Sequence, residues 1–144
     1  MMKEAGPNLK VGVLIVTHYR LGEEFLQALR LILPEAPRWD AVSVDPSMPV
    51  EEVRGGIAAG LKAADQGEGV LILTDMFGGT PSNMSLSFHD EHQVEVVTGM
   101  NLPMLIKLAS VRNTGSIEQA SLDAQEAGRK YINIASQLLA KETK

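Results

Sequence analysis

Four short runs of apolar residues along the chain predict four β-strands. The runs at residues 11–16 and 69–75 are nearly continuous and rich in Val, Leu and Ile. Such runs are typical of strands that are buried on both faces, as in a parallel sheet. Shorter strands are predicted at residues 40–45 and 93–99.

Between these runs, the apolar residues recur at helical spacing. After the first run, intervals of four, four and three residues separate Leu21, Phe25, Leu29 and Ile32. Further helices are predicted at residues 50–65, 80–90, 101–112 and 116–128. Thr80 and Asn101 fit the N-cap positions of two of them, and Pro81 fits a first turn. Residues 129–139 fit either a final strand or a continued helix.

This alternation of strands and helices predicts an α/β fold with one domain at residues 10–144, after a flexible lead-in at residues 1–9. We expect a flavodoxin-like, doubly wound parallel sheet of strand order 2-1-3-4 with helices on both faces. Ligands of such sheets bind at the carboxyl ends of the strands, where the winding reverses. The reversal falls between the first and third strands, so His18 and Asp75 should meet there.

A histidine beside a carboxylate suits two kinds of chemistry. The carboxylate accepts a hydrogen bond from one ring nitrogen, which fixes the tautomer and leaves the other nitrogen with a free lone pair. The ring can then act as a general base or as a nucleophile that takes up a group.

The loop after Asp75 favours the second use. Gly78 and Gly79 allow the backbone to approach a ligand, Thr80 adds a hydroxyl, and the following helix start adds free N–H donors. Together they predict an anion-binding loop of a size that suits a phosphoryl group. The chain has neither a Walker loop nor a G-x-G-x-x-G motif, so a phosphohistidine site fits better than a nucleotide site.

Each feature also has a purely structural interpretation. A histidine after a strand is more often a hydrogen-bonded structural residue, and Asp75 could cap a turn. The joint placement of these residues at the switch point favours a functional site. His89 and His92 have the H-x-x-H spacing of a metal pair, but no third ligand is apparent, and a solvated loop is the favoured interpretation.

Composition narrows the possible partners and compartments. The net charge of −5 argues against nucleic acid, which needs clustered Lys and Arg, and suits a partner with a basic patch. The absence of cysteine excludes disulfides and thiolate catalysis. No apolar stretch resembles a signal peptide or reaches the ~20 residues of a membrane span. We expect a cytoplasmic protein without direct membrane insertion.

Three segments together resemble the IIA domain of the mannose family of the bacterial sugar phosphotransferase system. They are "VTH" at 16–18, "LTDMFGGTPSN" at 73–83 and "VTGMNLPML" at 97–105. The resemblance extends over residues 11–139. The combination of D-x-x-G-G-[ST]-P-x-N with G-x-N-x-P-M is far more specific than the histidine alone.

The resemblance implies a phosphocarrier without a metal or organic cofactor. His18 would accept a phosphoryl group from the phosphocarrier HPr on Nε2 and pass it to a histidine of a IIB component. Asp75 would hydrogen-bond the other ring nitrogen, and Gly79 and Thr80 would receive the phosphoryl oxygens. The family forms homodimers that exchange a C-terminal antiparallel edge strand, which matches residues 129–136 here.

The family also implies a shallow docking surface around His18. We assign to it, or to its flanks, Thr17, Tyr19, Met76, Phe77, Asn83, Asn101 and Pro103. Tyr19 stands where the family commonly has glycine, which could alter partner recognition. The given chain shows no linker and no IIB domain after Leu139, so a stand-alone component is expected.

Other functions stay open at this point. The domain could be a regulatory phosphorelay module that binds a target according to the phosphorylation state of His18. It could also resemble the related phosphodonor of dihydroxyacetone kinase, although the G-G-T-P loop favours the mannose type. A response-regulator receiver lacks the acidic cluster it would need after the first strand, and a hydrolase lacks a G-x-S-x-G nucleophile.

Overall fold

A computed structural model describes residues 10–89, 93–111 and 115–142. Its strands are β1 (Gly12–His18), β2 (Asp40–Val44), β3 (Val70–Thr74) and β4 (Val94–Thr98). Its helices are α1 (Leu21–Ile32), α2 (Val50–Ala64), α3 (Thr80–Leu86), α4 (Leu102–Ser110), α5 (Ile117–Lys130) and α6 (Ala135–Glu142). The predicted lead-in at residues 1–9 lies outside the described residues, as does His92.

The four strands form one parallel sheet in the order β2-β1-β3-β4, which confirms the predicted topology. β1 and β3 occupy the centre, and every residue of β3 is buried. The winding reverses between these two strands. Their register pairs Val16 with Thr74, so their carboxyl ends lie side by side.

Two hydrophobic layers cover the sheet, because neighbouring residues of each central strand point to opposite faces. Val13 and Ile15 of β1 pack in the layer that contains α1, α4 and α5. Leu14 and Val16 pack in the layer that contains α2 and Met84 of α3. Burial of each such side chain contributes roughly 1.5–3 kcal/mol. The two layers hold the carboxyl ends of β1 and β3 in fixed positions.

The helix starts match the predictions at one position and differ at another. Asn101 caps α4, because its side chain accepts a hydrogen bond from the Met104 N–H. The predicted N-cap at Thr80 is wrong: extended Gly79 occupies the cap position, and Thr80 is already the first helical residue. A hydroxyl inside the first turn is not placed to cap it. α3 also ends at Leu86, before the predicted residue 90.

The segment after α5 is the least packed part of the described chain. Residues 131–134 are neither helix nor strand, and α6 follows them. Tyr131, Ile132 and Ile134 are exposed, Ile132 to 76%. Within the described chain, β4 pairs only with β3. Of the predicted strand at residues 129–136, the first two residues end α5 and the last two begin α6, so the single chain shows helix at both ends of this range. An exchanged strand requires a second copy, so it stays a prediction.

Among the described helices, none is both long enough and apolar enough to cross a bilayer.

Candidate functional site

The centre of the site is a histidine–aspartate pair at the switch point of the sheet. His18 is the last residue of β1, and Asp75 directly follows β3. The His18 Nδ1 lies 2.8 Å from Oδ2 of Asp75, and the His18 backbone N–H donates to the same oxygen at 3.2 Å. The meeting of these two side chains, predicted from the strand order, is confirmed.

Both carboxylate oxygens of Asp75 take part in hydrogen bonds, which fixes the orientation of the imidazole. Its Oδ1 accepts a hydrogen bond from the Met76 N–H at 3.2 Å. The Asp75 side chain is 13% exposed, whereas the His18 side chain is 39% exposed. In a neutral ring, a carboxylate at Nδ1 retains the proton there. Nε2 therefore carries the lone pair, and His18 is the more exposed member of the pair.

The loop backbone lies directly against this reactive edge of the ring. A Cβ atom at Gly79 would fall 2.6 Å from Cε1 and 2.8 Å from Nε2 of His18. No side chain fits there without displacing the imidazole. Gly78 has a different requirement: its φ of +100° is a left-handed conformation that favours glycine, and its Cβ position is open.

Ser82 is a site residue that the sequence interpretation missed. Its side chain is fully buried, and its hydroxyl accepts from the Gly78 N–H at 2.8 Å and donates to the Gly79 carbonyl at 3.2 Å. The serine thus closes the loop on itself. A hydroxyl residue in the first turn after two glycines is the signal that could have revealed it.

Because of the Ser82 contact, the loop offers fewer free N–H donors to an anion than predicted. The Gly78 N–H is already engaged, so it is not an open donor in this structure. No described residue hydrogen-bonds to the Gly79 N–H or to the hydroxyl of exposed Thr80. The Gly79 N–H, on the residue that lies against the ring, and the hydroxyl of the next residue, Thr80, are therefore free donors. Asn83 is exposed on the following turn, and its backbone N–H donates to the Gly79 carbonyl.

The predicted docking residues divide into surface and interior positions. Tyr19, Met76 and Phe77 are 57%, 53% and 67% exposed. Thr17 cannot contribute to a docking surface, because it is fully buried. Its hydroxyl accepts from the Gly22 N–H at 2.8 Å and donates to the Tyr19 carbonyl at 3.4 Å, so it fixes the turn after β1.

Asn101 and Pro103 make no hydrogen bond to the histidine–aspartate pair. Besides capping α4, Asn101 donates through its side-chain amide to the Gly128 carbonyl at 2.9 Å. This clamp joins the start of α4 to the last turns of α5. Pro103 is partly buried in the first turn of α4. The hydrogen bonds give Asn101 a structural role between two helices.

The surface around His18 is apolar, with an acidic border. Five exposed apolar residues lie after β1, β2 and β3, and we call this group the docking face: Tyr19, Leu21, Val50, Met76 and Phe77. The sequence interpretation missed Leu21 and Val50. The acidic border consists of Glu24, Glu51 and Glu52 in the first turns of α1 and α2. Glu23 of the same turn of α1 forms an ion pair with the exposed Arg20 at 2.9 Å, so these two charges offset each other.

One further acidic residue lies on the loop between β2 and α2. Two hydrogen bonds, from the Ser47 backbone N–H and from the Ser47 hydroxyl, lower the pKa of Asp45. The carboxyl therefore keeps its charge to a lower pH than usual. It adds to the negative potential at this end of the sheet.

The part of the chain that the structure describes has no group of three or more His, Cys, Asp or Glu side chains that could hold a metal ion. His89 of the predicted H-x-x-H pair lies 3.6 Å from Glu95, measured from Nε2 to Oε2.

This chain is an α/β domain with a parallel sheet and a histidine–aspartate pair at its switch point, and these two features define its class. Residues 12–125 match the family model described as "PTS system fructose IIA component". The chain belongs to this family, the mannose-type IIA components of the sugar phosphotransferase system, which confirms the resemblance found in the sequence.

Individual relatives agree with this assignment. The sorbose-specific EIIA component of Lacticaseibacillus casei is 29% identical over 108 residues, which are 74% of this chain and 78% of the relative. The mannose-specific EIIAB component of Escherichia coli K12 is 29% identical over 126 residues, or 86% of this chain. The chain spans only 39% of that second relative.

A solved structure supports the fold. The mannose/sorbose-specific IIA subunit from Enterococcus faecalis superimposes with a TM-score of 0.80 at 26% identity, over 88% of this chain and 95% of that one. The names of the relatives and of the family model cite sorbose, mannose and fructose, so they do not agree on one sugar.

Proposed function

We propose that this protein is a cytoplasmic phosphocarrier that accepts a phosphoryl group from phospho-HPr on Nε2 of His18 and passes it to a IIB component. The observation that carries the proposal is the 2.8 Å contact between Nδ1 of His18 and Asp75, which leaves Nε2 free at the open edge of the pair. Membership of the IIA family supports the same role.

The transfer exchanges one nitrogen–phosphorus bond for another. The Nε2 lone pair of His18 attacks the phosphorus of phospho-HPr, and the bond to the histidine of HPr breaks. The Nδ1 proton stays in the hydrogen bond to Asp75. As Nε2 gives up its lone pair, the ring gains positive charge, which the Asp75 carboxylate stabilises. In the transfer to IIB, a histidine nitrogen of IIB attacks the phosphorus, and the bond between the phosphorus and Nε2 of His18 breaks.

Free donors beside the ring would receive the phosphoryl oxygens. The Gly79 N–H and the Thr80 hydroxyl have no hydrogen-bond partner among the described residues. Gly79 also keeps the edge of the imidazole free of side-chain atoms. Phosphoryl transfer depends mostly on positioning and charge stabilisation, so these groups can serve it without a cofactor.

The docking face suits a protein donor better than a small molecule. Two histidines must approach in line with the phosphoryl group between them, and this requires an open surface. The exposed apolar residues of the docking face provide contact area, and the acidic border attracts a basic partner. A second docking partner, IIB, would use the same surface in turn.

We further propose a homodimer in which residues 129–136 pair with β4 of the second copy. The outer edge of β4 pairs with no other described strand. A groove runs along it, lined by Val96, Leu122 and Ile132 among others. Ile132 lines this groove, and its neighbours Tyr131 and Ile134 also expose their side chains. An added strand would satisfy the open backbone groups of β4 and cover apolar surface.

Phosphorylation by a reconstituted donor chain tests the proposal. Purified protein is incubated with phosphoenolpyruvate, Enzyme I and HPr, and its intact mass is measured. We expect one acid-labile phosphoryl group on the wild type and on His89→Ala, a control at an exposed histidine, and none on His18→Ala. A folded wild type that gains no phosphoryl group from a cognate HPr contradicts the proposal.

The regulatory alternative shares the phosphorylation of His18 and differs only in the use made of the phosphorylated protein. No feature of the described site favours it over transfer to a IIB component.

A further inference from the structure

Tyr19, the residue after His18, has an unusual backbone conformation. Its φ of +47° makes it the only non-glycine residue of the described chain with a positive φ. In this left-handed region, the Cβ of an L-residue crowds the backbone, and glycine alone avoids the cost. A tyrosine here destabilises the turn relative to a glycine.

The surrounding structure imposes this conformation. The Tyr19 N–H donates to the Val44 carbonyl of β2 at 2.7 Å. Its carbonyl accepts from the buried hydroxyl of Thr17, and that hydroxyl also accepts from the Gly22 N–H at the start of α1. The turn is thereby tied to β1, β2 and α1. These hydrogen bonds hold the backbone at position 19 and do not involve the tyrosine ring.

The ring of Tyr19 does not stabilise the fold in return. The residue is 57% exposed and belongs to neither hydrophobic core layer. Its hydroxyl hydrogen-bonds to no described residue. The ring therefore adds neither a core contact nor a hydrogen bond that would offset the strain of its backbone. Backbone strain of this kind is typically retained at functional sites.

The position of the ring indicates what it contacts. Tyr19 is adjacent to His18 in the sequence and belongs to the docking face with Met76 and Phe77. Exposed tyrosines in such patches are frequent sources of binding energy, because they combine a large apolar surface with a polar tip. A partner that delivers a phosphoryl group to Nε2 must approach within reach of this ring.

We propose that Tyr19 is a specificity-determining contact for the protein phosphodonor, and that the strained turn is retained because it presents the ring beside His18. The inference rests on the proposed function and deepens it. Tyr19 acts on docking of phospho-HPr and takes no part in the bond exchange at Nε2.

Three substitutions separate docking from strain. Tyr19→Gly removes the ring and the strain, and Tyr19→Asn removes the ring with a residue that tolerates the left-handed region. Tyr19→Phe keeps the ring and the strain. Each variant is compared with the wild type for thermal midpoint, for KM and kcat with phospho-HPr, and for phosphorylation by phosphoramidate, a small donor that needs no docking face.

We expect Tyr19→Gly and Tyr19→Asn to unfold at the same temperature as the wild type or higher. Their KM for phospho-HPr should rise about tenfold, the effect of losing one good interface contact. Their kcat and their rate with phosphoramidate should stay unchanged, and Tyr19→Phe should keep a KM close to that of the wild type.

Two results would overturn the inference while leaving the proposed function intact. The first is a wild-type KM in Tyr19→Gly, which would show that the donor does not touch the ring. The second is a lower thermal midpoint in both Tyr19→Gly and Tyr19→Asn, which would make the ring a structural element. A wild type that phosphoramidate phosphorylates but phospho-HPr does not would overturn the proposed function, and the donor contact with it.

Discussion

The His18 end of the sheet and the segment after α5 differ in where their contacts lie. At the first, hydrogen bonds within the chain hold the structure: Asp75 holds His18, and Ser82 closes the glycine loop. At the second, Ile132 lines a groove along β4, whose outer edge pairs with no described strand, and Tyr131 and Ile134 also expose their side chains. One chain therefore holds the histidine–aspartate pair by itself, whereas the strand exchange proposed for the C-terminal segment requires a second copy.

The largest effect is expected where the loop touches the ring. In Gly79→Ala, the new Cβ would lie within 3 Å of Cε1 and Nε2 and would displace the imidazole. Because misplacement by about 1 Å can cost on the order of a hundredfold in rate, phosphorylation by HPr should fall at least that far. The rate is measured by intact mass against time.

Gly55→Ala is the matched control for this substitution. Its Cβ would meet nothing within 4 Å on α2, so the rate should stay normal and stability should rise slightly. Equal rates for Gly79→Ala and the wild type would show that the loop does not confine the ring.

Removal of the orienting carboxylate is expected to have the next largest effect. Asp75→Ala deletes the acceptor of the Nδ1 hydrogen bond, so the ring loses its fixed tautomer and its charge stabilisation. The fold should persist, and transfer should slow on the order of tenfold to a hundredfold. Stopped-flow or quenched kinetics with phospho-HPr measure this. Asp123→Ala removes a carboxylate of α5 that accepts a hydrogen bond from the Gln119 side chain, and it should transfer at the wild-type rate. A wild-type rate in Asp75→Ala would contradict the role of the carboxylate.

A smaller effect is expected from the serine that closes the loop. Ser82→Ala leaves the Gly78 N–H without its partner in a partly buried position, which should cost about 1–3 kcal/mol in the free energy of unfolding. Transfer should slow only several-fold, since His18 and Asp75 remain in place. Urea denaturation measures the change in the free energy of unfolding, and transfer kinetics with phospho-HPr measure the change in rate. Ser110→Ala, at an exposed serine of α4, serves as the control. Unchanged stability in Ser82→Ala would show that the loop is held by other contacts.

A substitution in the C-terminal segment should change the stability of the single chain little and the assembly of the dimer strongly. Ile132→Asp changes an exposed side chain, so the stability of a monomer should change by less than about 0.5 kcal/mol. The dimer should dissociate, because the charge would enter a covered strand interface. Analytical ultracentrifugation measures this.

Leu31→Asp, at an equally exposed leucine of α1, controls for the general effect of a surface charge. A wild-type protein that is monomeric in solution would contradict the proposed exchanged strand.

The sheet order and the histidine–aspartate pair could be predicted because they depend on long-range pattern. Continuous apolar runs define the central strands, and alternation with helices defines their order. Once the order is known, the carboxyl ends of β1 and β3 must meet, and His18 and Asp75 with them.

Local geometry could not be predicted in the same way. The cap at Gly79 instead of Thr80, the burial of Thr17 and the contact of Ser82 depend on hydrogen bonds that only the folded loop creates. The left-handed backbone of Tyr19 is likewise imposed by Val44 and Thr17, which lie on two different strands. Propensity assigns none of these conformations to the residues that adopt them.

The proposed chemistry depends on the orientation of the imidazole, and one measurement tests that orientation directly. The protein is labelled with ¹⁵N in its histidine rings, phosphorylated through HPr, and studied by NMR to identify which nitrogen of His18 carries the phosphoryl group. The hydrogen bond between Nδ1 and Asp75 predicts phosphorylation at Nε2, with the proton retained at Nδ1. Phosphorylation at Nδ1 would contradict the assigned role of Asp75 and the direction from which the donor approaches.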